Sequence, residues 1–452
     1  MSLAKEFGAI GDGQADDTQA LQHAVNDGDG VLELSRGTYR ITQTITLDLT
    51  AGGYRGIRGD QGTSRVIMAG PGPAFEIIGD HNGTASPPSV QPHTWDKERF
   101  PVLSGFEIVG AHAEADGVRL KKTHMATLSS VLIRGCRYGI HLVERNRNFI
   151  LSHSHIYDCL DTGVFFDHVN IHQVNILGNH ISYNTRAGIR FLNGDPHNVQ
   201  ITGNDIEYNS GIEGNSAEIL LEAPETLISE FTIASNTLQA TREAGGANVL
   251  ILGKEEEVPY SVRLVNITGN VLGARNRNIE IHHGQRISIT GNTIYDGTEM
   301  NLYLRNCWNS VVGSNTIQSR PAEHQPKTED GVLFEDCQVI GFIGNVLNDC
   351  GYGSEESGGA LTLRHCDSIA VNGCQILDYR WRGIHLEDST RCRISDCDIY
   401  ERRETPSALA SIESTGEGGN HLLSGNRYSE GSRGGILLEE SAGTQRDNQP
   451  IG

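Results

Sequence analysis

Three glutamates, Glu222, Glu280 and Glu335, are spaced so that they could act as paired carboxylates, with Asp167 as a fourth acid in reserve. Hydrolysis of a glycosidic bond needs one carboxyl to protonate the leaving oxygen and another to activate water. Among them fall His282, Tyr303, Arg305 and Arg364, which could hold or polarise a sugar, and Arg190, His385 and Glu387 extend the set. Trp381 and Tyr352 could stack on sugar rings. A second chemistry uses the same groups differently. Arg305 or Arg364 would neutralise a uronate carboxylate, and His282 or Tyr303 would exchange a proton, as elimination or epimerisation requires. A third possibility is that these side chains form only a solvated or glycan-binding face, since outward strand positions are usually polar and alternating charges stabilise a sheet modestly.

These residues share a site only if the chain repeats. It does. Ile-Thr-Gly-Asn ends at Asn204, Asn270 and Asn292, with weaker copies ending at Asn179, Asn236, Asn315, Asn345 and Asn426, and Cys374 and Cys397 fill the same slot. The shortest steps are 22 or 23 residues. An apolar strand such as Val199-Gln200-Ile201 precedes each slot, and a second alternating strand follows, as in Gly139-Ile140-His141-Leu142 and Gly383-Ile384-His385-Leu386. Short strands at this period predict a solenoid coil of two or three strands per turn. A propeller blade would need about 40 residues or more. The repeated asparagine suits left-handed turn geometry, and its amide can bond to the next coil's asparagine.

Stacking the second strands puts Arg119, His141, Phe165, Arg190, Leu220, Leu250, Glu280, Tyr303, Leu333, Thr362 and His385 in one outward column. Lys121, Val143, Asp167, Leu192, Glu222, Leu252, His282, Arg305, Glu335, Arg364 and Glu387 form the other. Coils about 4.8 Å apart put Glu280 two coils, about 9–10 Å, from Glu335 and from Glu222. That is near the separation of an inverting glycosidase pair. Insertions at 209–217, 253–262, 318–330 and 349–359 would wall the strip.

The formal net charge is -21, which excludes the basic footprint of a general nucleic-acid or anionic-membrane binder. No apolar run is long enough to cross a bilayer. Nine cysteines, spaced with the repeat at Cys136/Cys159 and Cys374/Cys397, predict stacked reduced thiols in place of disulfides. No cofactor is expected, and acidic runs at 255–257 and 355–356 are read as loop charge before calcium ligands. His153 and His155 are read as packing, not ligation.

At the N-terminus, Asp16-Asp17-Thr18 reads as a helix start, and Ala20, Leu21, Ala24 and Val25 give a short apolar face. Phe7-Gly8-Ala9-Ile10-Gly11-Asp12-Gly13, then Asp16-Asp17-Thr18, Gln22 and Gly37-Thr38-Tyr39-Arg40-Ile41, resembles the opening of pectate-lyase-like β-helix proteins. Polygalacturonase-type hydrolases, mannuronan C5-epimerase modules and some phage tailspikes share it. The resemblance implies an all-β chain, a single-stranded right-handed parallel β-helix with an N-terminal helical cap. Residues 1–99 would be the cap and first coils, 100–441 the regular coils and 442–452 a loose polar tail. It implies a carbohydrate partner, and a monomer or homotrimer. Secretion or a periplasmic location is expected, although no signal peptide opens this chain. The polygalacturonase signatures are missing. The epimerase-type Asp-Pro-His occurs as Asp195-Pro196-His197, in what reads as a turn between coils, and Phe166-Asp167 lacks the following proline. The sequence thus points to a carbohydrate-active enzyme, with hydrolysis preferred over lyase or epimerase chemistry and over a tailspike-like or other non-catalytic solenoid.

Overall fold

A computed structural model describes residues 2–83, 86–211, 216–241, 245–254, 260–318, 331–404 and 407–451. The chain divides into two compact units, Met1–Ile212 with Ser216–Thr232, and Glu213–Asn215 with Ile233–Gly452. Each is built from short parallel strands, three to a coil. In the first unit, Gly72–Ile78, Ala115–Lys121, Tyr138–Ser152, Thr162–Leu177, Ala187–Leu192 and Ala217–Glu222 pair in succession. Ser64–Met68, Glu107–Gly110, Leu132–Arg134, His155–Tyr157, His180–Ser182 and Asp205–Glu207 make another face. In the second unit the corresponding row is Ala247–Leu252, Arg277–His282, Met300–Arg305, Val332–Glu335, Leu361–Arg364, Arg382–Glu387 and Ala410–Thr415.

Alternation along each strand sends every second side chain inward, where Ile279, Ile281, Leu302, Leu304 and Phe334 are fully buried. The repeated asparagine is part of this interior. In the second unit Asn236, Asn270, Asn292, Asn315 and Asn345 form a ladder, each of the first four donating its backbone N–H and side-chain amide to the next carboxamide oxygen at 2.9–3.0 Å. Cys374 and Cys397 continue the slot, the Cys374 N–H meeting the Cys397 sulfur at 3.4 Å. In the first unit Asn179 donates to Asn204 in the same way. One expectation needs correcting: the asparagines are not themselves left-handed. The residue before each takes that conformation, as at Gly203 (φ +66°), Gly269 (φ +64°) and Gly291 (φ +68°). Glycine bends the chain without a Cβ penalty, and asparagine supplies the bonds.

All nine cysteines are buried, and none is in a disulfide. A helix spans Thr18–Asp27, burying Leu21, Ala24 and Val25, while Ala20 is only half-buried at the edge of that face. The N-terminal motif has a structural reason: the Asp17 carboxylate accepts the Ile10 and Gly11 N–H groups at 2.7 and 3.1 Å, and Asp16 accepts from Thr18 and Thr42. The tail expected to be loose instead continues the stack. Gly443–Arg446 pairs with His421–Ser424 and Gln449–Pro450 with Arg427–Tyr428, because its backbone finds a strand edge to complete. Among the described residues, no helix is long and apolar enough to cross a membrane.

Candidate functional site

Register decides which side chains are neighbours. In the second unit Glu280 pairs with Tyr303 and His282 with Arg305 on the next coil. Arg305 then pairs with Glu335, Glu335 with Arg364, and Arg364 with Glu387. Contacts link these groups into one network. Glu280 accepts from Arg277 Nη1 at 2.6 Å and lies 2.7 Å from His282 Nε2. The His282 ring meets the Tyr303 ring edge-on, centroids 5.4 Å apart. Tyr303 donates its hydroxyl to Glu335 at 2.5 Å. Arg364 reaches Glu335 at 3.4 Å and Glu387 at 2.9 Å, and Ser357 donates to Glu387 at 3.0 Å.

The electrostatics follow from these bonds. Burial pulls the Glu280 carboxyl upward, but His282 and Arg277 outweigh it and hold the group below the usual carboxylate range. Burial likewise opposes, and Tyr303 and Arg364 overcome it, at Glu335; Arg364 and Ser357 do the same at Glu387. Burial and the Glu335 carboxylate both push the Tyr303 phenol upward, so it keeps its proton. Arg305 is the least committed cation. Among the described residues its nearest carboxylate contact is 3.8 Å, to Glu335, and its side chain is 44% exposed. It also lines a cleft of about 410 Å³ with His283, Asn306, Asp336, Gln338 and His365.

The strip is less open than the sequence predicts. The column of Phe165, Leu220, Leu250, Leu333, Thr362 and His385 is buried, although period-two alternation marks it as outward. His385, expected to touch substrate, is fully buried: Gly358 donates to its Nδ1 at 3.0 Å, Thr415 lies 2.9 Å from Nε2, and burial lowers its pKa to about 4. The insertion around 349–359 lies across this column, and Arg382 holds it through the carbonyls of Ser354, Glu355 and Gly358. Trp381 is half-buried, with Arg380 over its ring at 5.1 Å. Residues 212–215, 255–259 and 319–330 of the other expected walls, including the acidic run 255–257, lie outside the described residues. Of the run 355–356, Glu355 pairs with Arg433 at 3.0 Å.

In the first unit, Arg190 donates to Glu222 at 2.7 Å and lies over the Phe165 ring. Asp167 is bonded to His141 at 3.1 Å and His168 at 2.7 Å; the His141 bond most of all holds it ionised. Asp195-Pro196-His197 differs from the expected turn. Asp195 does turn, with φ +67°, but Pro196 and His197 open the strand Pro196–Thr202. The His197 ring bonds Asp195 at 2.8 Å and Ser229 at 2.7 Å. A larger cleft of about 740 Å³ is lined by Arg58, Glu107, Ser130, His153 and His155, and its one carboxylate is held between Arg65 and Arg134.

Sequence reasoning missed Arg277, which precedes its strand's outward columns yet clamps Glu280 and covers Tyr303 at 5.3 Å. It also missed the row His124, Arg147, His172 and His197, one basic residue per coil. Its signal was the same repeat period read on the other strand of each coil.

The model of a right-handed β-helix region matches residues 103–233 and 359–448. No curated protein sequence matches the chain. Among solved structures, the A-module of the Azotobacter vinelandii mannuronan C-5 epimerase AlgE6 is similar over 82% of this chain and 99% of its own, at 15% identity and TM-score 0.53. A tailspike mutant of Escherichia coli bacteriophage HK620 in complex with pentasaccharide is similar over 93% of this chain and 80% of its own, at 14% identity and TM-score 0.57. The Streptococcus pneumoniae surface protein and adhesin PfbA is similar over 86% and 98%, at 12% identity and TM-score 0.51.

Proposed function

We propose that this chain, whose fold is a right-handed parallel β-helix, acts on a uronate-containing poly- or oligosaccharide by proton transfer at a sugar carbon. The observation that carries this reading is how His282, Arg277, Tyr303 and Arg364 partner the carboxylates of the strip. A paired-carboxylate hydrolase needs one acid that keeps its proton near neutrality. Glu280, Glu335 and Glu387 are all held ionised by their partners. The protonated group is Tyr303, and the exposed cation is Arg305.

In this reading Arg305 binds the uronate carboxylate and stabilises the charge that develops when C5 loses its proton. With its Nε2–H facing Glu280, His282 presents Nδ1 as the base that takes this proton. Tyr303 supplies a proton, either to the O4 leaving oxygen in elimination or to C5 in epimerisation. Glu280 and Glu335 orient the imidazole and the phenol. Trp381 and Glu387 would contact sugar beside them. Similarity to an epimerase module and to a tailspike in complex with pentasaccharide supports the carbohydrate part. The helix Thr18–Asp27 is read as the cover of the solenoid end, which would otherwise expose core.

The test is incubation with neutral and uronate polysaccharides. Three signals are followed: unsaturated uronate absorbance, reducing ends, and deuterium uptake at C5. Unsaturation or uptake that disappears in His282→Gln supports the proposal. Reducing ends without either signal would return the chemistry to hydrolysis, with Glu222, Glu280, Glu335 and Asp167 again the acids to test. Binding without turnover would make the chain a glycan-binding solenoid.

A further inference from the structure

The first unit carries a second polar cluster that the strip does not use. His124, Arg147, His172 and His197 occupy one row on four successive coils, in register as His124–Arg147, Arg147–His172 and His172–His197. Arg145 and Asn170 form the row beside it. The cluster is tight: the His172 and His197 rings stack at 4.8 Å, the His81 ring lies 5.6 Å from His124, and Trp95 meets His124 edge-on at 4.9 Å.

Its hydrogen bonding is incomplete. Arg145 Nε and Nη2 are buried with no acceptor among the described residues, and Asn170 Oδ1 is buried with no donor. His81 and His124 are each 2% exposed, yet both His81 nitrogens and His124 Nδ1 lack partners. The acid nearest to serving Arg145 is Asp195, and it is already engaged by His197 at 2.8 Å and Asn170 at 3.1 Å. Two buried guanidinium nitrogens without an acceptor are costly, and native structures seldom leave such donors idle. Arg147, two residues on, adds a mostly buried cation bonded to Asn148 and the Ser86 carbonyl.

We propose that Arg145, Arg147 and Asn170 form a binding site for an acidic sugar residue, separate from the catalytic assignment made above. An anionic oxygen pair would accept from the guanidinium of Arg145, whose fork geometry suits carboxylate and sulfate alike. A neighbouring hydroxyl would donate to Asn170 Oδ1. That combination of an oxyanion and a hydroxyl distinguishes an acidic sugar from a free oxyanion. His81 and His124 are held neutral by burial, each at about 4, so they offer ring nitrogens to hydroxyls without adding charge.

The probes are trigalacturonate, a sulfated galactan tetrasaccharide, inorganic sulfate and neutral maltotetraose. They are titrated against the full chain by calorimetry, and fluorescence is read in a Trp308→Phe/Trp381→Phe background so that Trp95 is the local reporter. The acidic sugars should bind, more weakly as salt rises, and maltotetraose should not. Arg145→Met should weaken binding at least tenfold while its Tm stays level or rises, because two buried donors without an acceptor are removed. Asn170→Leu should weaken the sugars and leave any response to sulfate unchanged. Preference for trigalacturonate identifies a carboxylate ligand, and preference for the galactan a sulfate ester. A response to sulfate but to neither acidic sugar would overturn the sugar assignment. Unchanged binding in Arg145→Met, or no Trp95 response to any acidic probe, would overturn the site. None of these outcomes depends on turnover at His282.

Discussion

Glu280→Gln is the sharpest perturbation of the strip. Glu280 sits with its side chain 9% exposed between Arg277 and His282, and its two oxygens are acceptors only. Both contacts fall on the same oxygen, Oε1, so glutamine can still accept them there, but as a neutral acceptor that removes the charge assistance from both. A charge-assisted bond contributes about 1.5–3 kcal/mol. Arg277 is not stranded, because Glu299 remains 3.1 Å away. The fold should therefore survive with about 2 kcal/mol less stability. His282 loses the negative charge that strengthens the bond fixing its tautomer and ring. General-base catalysis contributes about 10²–10⁴ in rate, so kcat should fall by about a hundredfold or more while KM changes little. The assay is steady-state turnover on whichever uronate polymer the wild type processes, with thermal unfolding alongside. Glu299→Gln is the control, since it touches Arg277 but not His282, and should change kcat by less than about threefold. Full activity in Glu280→Gln, or an equal loss in Glu299→Gln, would refute the base assignment.

Three further outcomes follow from the same structure. Asn292→Leu removes the acceptor for the Asn270 N–H and the donor to the Ile267 carbonyl, leaving both buried; it should destabilise by about 2–6 kcal/mol, and Asn292→Cys by less, as chemical denaturation can measure. His81, His124 and His385 have folded values of about 4 against 6.5, so the unfolded chain binds more protons between these values. Stability should decline from about pH 6.5 down to pH 4, then further below the ordinary carboxylate range as Glu280, Glu335 and Glu387 are protonated, as Tm against pH will report. All nine thiols are buried, so a thiol reagent should label none rapidly in the native protein and all nine after denaturation.

Period and alternation were enough to place Glu280 beside Tyr303 and Arg305 beside Glu335, because parallel pairing in a repeat carries one register from coil to coil. The asparagine and cysteine slots were legible for the same reason: a ladder repeats its residue type at the repeat's own spacing. Which outward positions stay open was not legible. His385 and Leu250 alternate as His282 does, yet they are buried, since burial is decided by the loops and neighbouring side chains that fold over a column. Ionisation belonged to the tertiary structure as well. A glutamate in sequence is equally an acid or an ion-pair member, and only the approach of Arg277, Tyr303 and Arg364 made Glu280 and Glu335 the second. The basic row from His124 to His197 had its period in the sequence, but the lack of any acceptor for Arg145 is a property of three-dimensional packing. Local repetition thus fixed who stands next to whom, while burial and charge pairing, which sum contributions from chain segments far apart in sequence, settled what each side chain can do.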